Sequence, residues 1–476
     1  MSRAGEHDVI AFVDERLGAA RPLHKVLRYV FPEHWSFLLG EMALYAFVVL
    51  VATGVFLALF FDPSAVQTTW HGAYPPLDGV QVSRAYGSAL DLSFTVPGGL
   101  LMRQTHHWAA LLFLVSITLH LLRVVFTGGF RKPRELTYVV GVTLLTLAVV
   151  EGYVGYSLLD DLLSGMGLAI GYSTALSIPG VGGALGALIW DGPFPGGPAF
   201  EPRLFALHVF VLPAAIAAMI GAHLFMVART RHAQFPGPGR REANVVGAPL
   251  WPAYALRSLG WLLAITAVLV LLGGLVQINP VWQWGPYETW LGENGAQPDW
   301  YLGWLIGALR LMPNWEIHAF GHTIVPNPFF GGVAFPGAVF GFLYALPWLD
   351  RVLFTRDAEL HHLLDRARDN PRRTGALAAV LTFVSAVFFF GSADRVFLAV
   401  SIPYELQLWI FRAVVFVGPI VVYAATRHWC LALRRRDAHP LRGVDAIVVP
   451  PPAQGSPVHS APDARELVKD RQGGNP

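Results

Sequence analysis

An all-α membrane protein with eight transmembrane helices is the fold class this sequence predicts. Three observations carry it: 54% of the 476 residues are hydrophobic against 14% charged, mean hydropathy is +0.48, and eight stretches are apolar over a bilayer-crossing length. A soluble chain carries about a quarter charged residues, whereas a spanning helix needs about 20 mainly apolar ones. The stretches are 36–60, 105–126, 138–156, 204–228, 258–277, 329–349, 374–392 and 404–425.

Basic residues orient them. Arg3, Arg16, Arg21, Lys25 and Arg28 precede the first span, Arg131, Lys132 and Arg134 fill the second connection, and Arg229, Arg231, Arg240, Arg241 and Arg257 the fourth. The sixth is also arginine-rich, while the intervening connections hold little beyond Arg84, Arg203, Arg310 and Arg395. By the positive-inside rule both termini are cytoplasmic. The charged N-terminus lacks an early apolar core, so no cleavable signal peptide is expected, and the formal net charge of +2 gives no reason to expect a nucleic-acid partner. The organisation expected is a cytoplasmic segment (1–30), a four-helix bundle (31–230), a C-terminal transmembrane part (231–430) and a polar, Pro-rich, disordered tail (431–476). The connections 158–202 and 278–328 are long enough to fold as caps over the outer face.

The second span carries His106, His107 and His120, and the fourth carries His208 and His223. At 100° per residue, positions fourteen apart fall about 40° short of four turns, and positions fifteen apart about 60° past them, so His106 shares a face with His120 and His208 with His223. His107 faces elsewhere, towards headgroups or a neighbouring helix. If the two helices pack side by side, the four residues form two imidazole pairs stacked across the membrane. Such pairs suit bis-histidine ligation of haem iron, giving a di-haem bundle of the first four helices. Zinc or copper sites want further ligands, and no Cys or carboxylate is expected at those levels. Gly40 and Gly54, and Gly141 and Gly155, repeat the fourteen-residue rise and permit close approach, here to two flat macrocycles. Arg103 and Arg123 lie within a turn of His106 and His120, within reach of acidic haem substituents. On these residues alone, hydrogen-bonding histidines in a proton-relay transporter and another di-haem membrane cytochrome stay open. The single cysteine, Cys430, excludes an iron–sulfur cluster held by this chain alone.

Further motifs reach a family. R-x-x-H at 103–106 with His120, LHLLR ending at Arg123, PRE at 133–135, YSLLDDLLSG at 156–165, QFPGPGR at 234–240 and PDWY at 298–301 resemble cytochrome b of the quinol:cytochrome c oxidoreductase (bc1 or bcc) complexes, actinobacterial type, over residues 30–430. The resemblance implies two non-covalent b-type haems. His106 and His208 would hold the outer, lower-potential one, and His120 and His223 the inner, higher-potential one. Quinol, menaquinol in this branch, would be oxidised near the outer face. One electron would pass to a Rieske iron–sulfur partner and the other through the haems to an inner quinone site, building proton-motive force. A cytochrome c subunit carrying two haems, a second copy of the complex in a homodimer and a terminal oxidase are the other partners implied, in a bacterial plasma membrane.

By the same resemblance Pro298, Asp299, Trp300 and Tyr301 border the quinol pocket. Asp299 helps to take quinol protons, with Tyr301 beside it and Tyr156 on the facing wall. The chain departs from the family in having Asp rather than Glu at 299 and Leu159 where Pro is usual, which leaves open a paralogue that keeps both haems without quinol bifurcation. An Asp at a helix start after Pro298 also fits a dipole-stabilised terminus. Glu316, His318 and His322 are candidates for a second proton acceptor. Trp35, Ser36, His232 and Arg240 occupy regions suited to the inner quinone site, with His232 also fitting an ordinary interfacial residue.

Overall fold

A backbone in lipid must satisfy its own hydrogen bonds, and in the computed structural model each of the eight stretches is a helix. The structure describes residues 14–16, 18, 20–291 and 298–438. The spans are Trp35–Ala58, Gly99–Phe126, Glu135–Ser157, Phe200–Thr230, Leu250–Leu275, Phe330–Thr355, Pro371–Ser392 and Tyr404–Asp437. Most overrun the apolar stretch by a turn or more. The helix begun at Tyr404 continues to Ala438, with Arg435 and Arg436 in its last turn, where cations complement the helix dipole. The start of the expected tail is therefore helical, and the remainder lies outside the described residues.

The first span packs along the second and the third along the fourth, while the fifth lies against the first two. Midway along this bundle Ala43, Ala46, Phe113, Leu114, Leu144, Ala148 and Ile216 form one apolar cluster. These positions fall between Gly40 and Gly54, His106 and His120, Gly141 and Gly155, and His208 and His223. The polar positions of the four helices are thus separated by a solid apolar layer. Elsewhere the helix Gly303–Leu311 packs on the helix Pro371–Ala399. A Cβ at Gly307 would lie 1.8 Å from the Val387 carbonyl oxygen, so only glycine admits this crossing.

At the end that holds few basic residues, the connections interlock. The segment 158–202 contains the helices Leu162–Leu176 and Gly182–Trp190. It joins the fifth connection through Leu162 N–H to the Gly285 carbonyl (3.0 Å) and Tyr287 N–H to the Asp160 carbonyl (3.0 Å). From the first connection, Tyr86 donates to the Val281 carbonyl at 3.0 Å. Leu159 packs beside the cluster of Trp70, Leu77, Val82, Tyr86, Leu90 and Val281. At the opposite, arginine-rich end, strand Val30–Pro32 pairs antiparallel with Gly247–Pro249. Arg134 there donates to the His361 carbonyl (2.7 Å) and meets His362 Nδ1 (2.8 Å).

Candidate redox site and quinol-side cluster

The second and fourth spans bring the four histidines into the two expected pairs. Ring centroids of His106 and His208 are 6.2 Å apart with planes at 78°; those of His120 and His223 are 6.5 Å apart at 73°. The unequal spacings, fourteen and fifteen residues, are reconciled by a feature that helical-wheel reasoning missed. Residues Leu207–Val211 form a π turn in which the Leu212 N–H reaches the Leu207 carbonyl. Pro213 follows, and having no N–H it cannot make the regular bond to the Val209 carbonyl. A turn closed i→i+5 takes up one residue more than an α turn, so fifteen residues rotate about as far as fourteen do elsewhere. The Pro at 213 was the available signal.

Each of the four glycines faces one imidazole. A Cβ at Gly54 would stand 3.2 Å from His106 Cε1, and one at Gly40 3.2 Å from His120 Cε1. At Gly141 it would be 3.5 Å from His223 Cε1, and at Gly155 2.3 Å from His208 Cε1. The last is a collision and the third an ordinary contact. Gly155→Ala is therefore expected to cost about 1–3 kcal/mol as overpacking and to displace His208, whereas Gly141→Ala is tolerated. Thermal unfolding and the visible spectrum of the two variants check this; equal behaviour would refute it.

A hydrogen bond sets the tautomer of His106. Thr53 donates its hydroxyl to the Val49 carbonyl at 2.7 Å, so towards His106 Nδ1, 2.9 Å away, it acts as acceptor. That leaves the His106 Nε2 lone pair free to bind a metal. His208 Nδ1 lies 3.0 Å from Glu151 Oε1. The expectation that no carboxylate stands at these levels is thus overturned for the His106/His208 pair. Glu151 addresses a ring nitrogen of one histidine, however, and among the described residues no group of three or more His, Cys, Asp or Glu converges as a metal site. An ionisable residue inside a span is itself a functional signal, and Glu151 was visible as one.

A b-type haem fits this arrangement. Two metal–imidazole bonds of about 2 Å each, plus the distance from each bonded nitrogen to its ring centre, sum to roughly 6 Å, matching both pairs. Arg103 is buried and Arg123 half-buried, each within one turn of a paired histidine along the second span. Arg103 Nη1 donates to the Asn279 carbonyl at 3.1 Å, and the Arg123 guanidinium sits 4.1 Å over the Phe37 ring. In both, Nε and Nη2 have no hydrogen-bond partner among the described residues. Buried donors of this kind call for anionic acceptors.

On the sparsely charged side, Asp299 stands at the N-cap position of the turn Trp300–Leu302 but makes no side-chain capping bond. Its carboxylate instead meets His107 Nε2, at 3.0 Å through Oδ1 and 2.9 Å through Oδ2. His107 does point away from the pairs, but towards Asp299 rather than headgroups. Tyr301 donates to Asp299 Oδ2 at 3.5 Å and is buried against Gly152; its hydroxyl is held well above the usual tyrosine pKa by burial and the adjacent carboxylate. Tyr156 is buried with its hydroxyl unpartnered, within electrostatic reach of Asp299 and Tyr301. Nearby Asp161 is fully buried and pushed up to about 6 by desolvation. Glu316 and His318, 3.2 Å apart, pair with each other on the exposed hairpin of Ile317–Ala319 and His322–Val325. They are not part of the Asp299 cluster.

On the arginine-rich side a cavity of about 580 Å³ runs from His120, His223 and Arg123 to His34, Trp35 and His232. His232 lines this cavity, and burial holds its pKa down to about 4. Ser36 is instead tied to His34, 2.8 Å from its Nδ1, and Arg240 turns back to the Phe235 carbonyl at 3.3 Å. Sequence reasoning overlooked Glu41 in this wall, which accepts from Ser258 Oγ at 3.1 Å and from Tyr254.

Comparison with known proteins identifies the family. The family described as Cytochrome b(N-terminal)/b6/petB matches residues 111–286. The cytochrome bc1 complex cytochrome b subunit of Mycobacterium tuberculosis is 47% identical over 439 residues, covering 92% of this chain and 79% of the relative. That of Streptomyces coelicolor is 42% identical over 434 residues, covering 91% and 79%. In fold, the chain matches a chain of a hyperthermophilic respiratory Complex III with a TM-score of 0.63 at 20% identity, over 88% of this chain and 100% of that one. This chain belongs to the cytochrome b subunits of the respiratory cytochrome bc1 complex.

Proposed function

We propose that the chain holds two non-covalent b-type haems, one between His106 and His208 near the outer face and one between His120 and His223 near the inner. With its complex it oxidises quinol outside and reduces quinone inside. The observation that carries this reading is the pair of crossed imidazole couples, 6.2 and 6.5 Å between centroids, each within a turn of an arginine with buried, unpartnered donors. Bound haem supplies reversible one-electron transfer at each level.

The chain's own residues supply the rest. Gly40, Gly54, Gly141 and Gly155 admit the imidazoles, and Arg103 and Arg123 attract the acidic substituents. Quinol oxidation releases two protons and two electrons. Asp299 accepts one of the protons as general base, held by His107 and flanked by Pro298, Trp300, Tyr301 and Tyr156, and the other proton leaves to the outer aqueous side. One electron leaves to a Rieske iron–sulfur subunit, which this chain, with one cysteine, cannot replace, and the other crosses to quinone at the inner face. His34, His232 and Glu41 line the inner cavity as candidate polar partners of that quinone. Menaquinol as substrate, a di-haem cytochrome c subunit, a homodimeric complex, a terminal oxidase and cytoplasmic termini complete the proposal.

The test is a dithionite-reduced minus oxidised spectrum with haem quantified per purified chain. Two b haems are expected. No haem, from a folded preparation supplied with haem, overturns the reading.

A further inference from the structure

The two histidine sites are built alike from the first four spans, yet their surroundings differ at equivalent positions of the first and third spans. On the third span the glycine facing each fourth-span histidine is preceded, one helical turn earlier and therefore on the same face, by a second residue that meets that histidine. For His223 and Gly141 this residue is Thr137, whose backbone meets the imidazole. For His208 and Gly155 it is Glu151, whose Oε1 stands 3.0 Å from Nδ1. The line between them lies off the N–H direction, so that Nδ1 and Glu151 Oε2 both lack an aligned partner; the broad second torsion of histidine allows rotation into line. His120 and His223 have no carboxylate or hydroxyl at Nδ1. The other member of the outer pair, His106, has the Thr53 hydroxyl at 2.9 Å.

We infer that Glu151 is a positioning residue that sets the redox asymmetry of the two sites, lowering the midpoint potential of the outer haem through its contact with His208 Nδ1. This rests on the reading of His208 as a haem ligand. A carboxylate that accepts the second ring N–H of a metal-bound histidine fixes its tautomer and raises its basicity. A more basic axial ligand stabilises the oxidised, more positive metal, so the potential falls. The outer site carries this carboxylate and a hydroxyl; the inner site has neither. The asymmetry favours electron flow from the His106/His208 level to the His120/His223 level, inward from the Asp299 side.

The test is a potentiometric titration of the α-band absorbance of the purified complex, with haem quantified, for the wild type, Glu151→Gln, Glu151→Asp and His208→Ala. The expected result is that Glu151→Gln keeps both haems, raises the lower midpoint potential and leaves the higher one in place. Glu151→Asp, which keeps the carboxylate on a shorter stem, is expected to shift less. Unchanged potentials in Glu151→Gln, or an equal shift of both haems, overturn the proposal. Loss of the outer haem from both Glu151 variants also overturns it, in favour of a purely architectural role. If His208→Ala retains both haems at the wild-type ratio, the ligand reading itself fails, and that outcome is distinct from the others.

Discussion

Replacing His106 with alanine is expected to halve the haem content, with the haem proposed at the His106/His208 level lost, the one at the His120/His223 level kept, and quinol-driven turnover reduced to background. The expectation follows from the separation of the two levels. His106 faces only His208, at 6.2 Å between centroids, while His120 faces His223 at 6.5 Å. The apolar layer of Ala46, Phe113, Leu114, Leu144 and Ile216 lies between them, and a close-packed layer of that kind does not rearrange to let one site compensate for the other. The alanine also leaves Thr53 Oγ1 without its imidazole partner, though that hydroxyl keeps its bond to the Val49 carbonyl at 2.7 Å. The helix itself is expected to tolerate the change, since alanine is the best helix former. Pyridine haemochrome analysis of the purified variant reads the outcome. Two haems per chain at the wild-type ratio would remove His106 from the ligand set, and loss of both would show that the two levels do not fold independently.

The parts of this molecule that could be read from the sequence are those written in local periodicity. Eight spans follow from hydrophobic length alone, because lipid leaves the backbone no alternative to helix. The histidine pairing follows from a spacing close to four turns, and the four glycines repeat it. What escaped depends on contacts that no local pattern encodes. His107 and Asp299 are 192 residues apart in sequence, and their meeting requires the fifth connection to fold back over the second span. That path is fixed by backbone bonds such as Leu162 to Gly285 and Tyr287 to Asp160, which any side chains could make. The π turn at Leu207–Val211 is an irregularity that a fixed angle of 100° per residue averages away. Glu151 was legible in kind but not in role: an acid among apolar residues marks a site, but only three dimensions aim it at Nδ1 of one particular histidine. The arginine-rich cavity is similar, since Glu41, Tyr254 and Ser258 come together from spans one and five.

Asp299→Asn is expected to slow quinol oxidation by about 10²–10⁴-fold, the usual contribution of a positioned general base, without altering the haem spectrum. The substitution preserves shape and removes the basicity. His107 can still donate to the amide oxygen, so the fold of the turn Trp300–Leu302, which the Asp299 side chain does not cap, stays in place. A carboxylate serving only to stabilise a helix start would behave differently: its neutralisation would cost a few tenths of a kcal/mol of stability and leave turnover intact. The companion variant His107→Ala separates the two histidine roles that adjacent positions on one helix assume. It is expected to retain both haems, because His107 faces the carboxylate rather than a paired imidazole, yet to impair turnover by freeing Asp299 from the contacts at 2.9 and 3.0 Å that hold it. Steady-state quinol oxidation by the intact complex, measured beside the haem quantification, decides the matter. Wild-type turnover in Asp299→Asn would take Asp299 out of the proton path, and haem loss in His107→Ala would show that the second span presents its histidines differently from the geometry described.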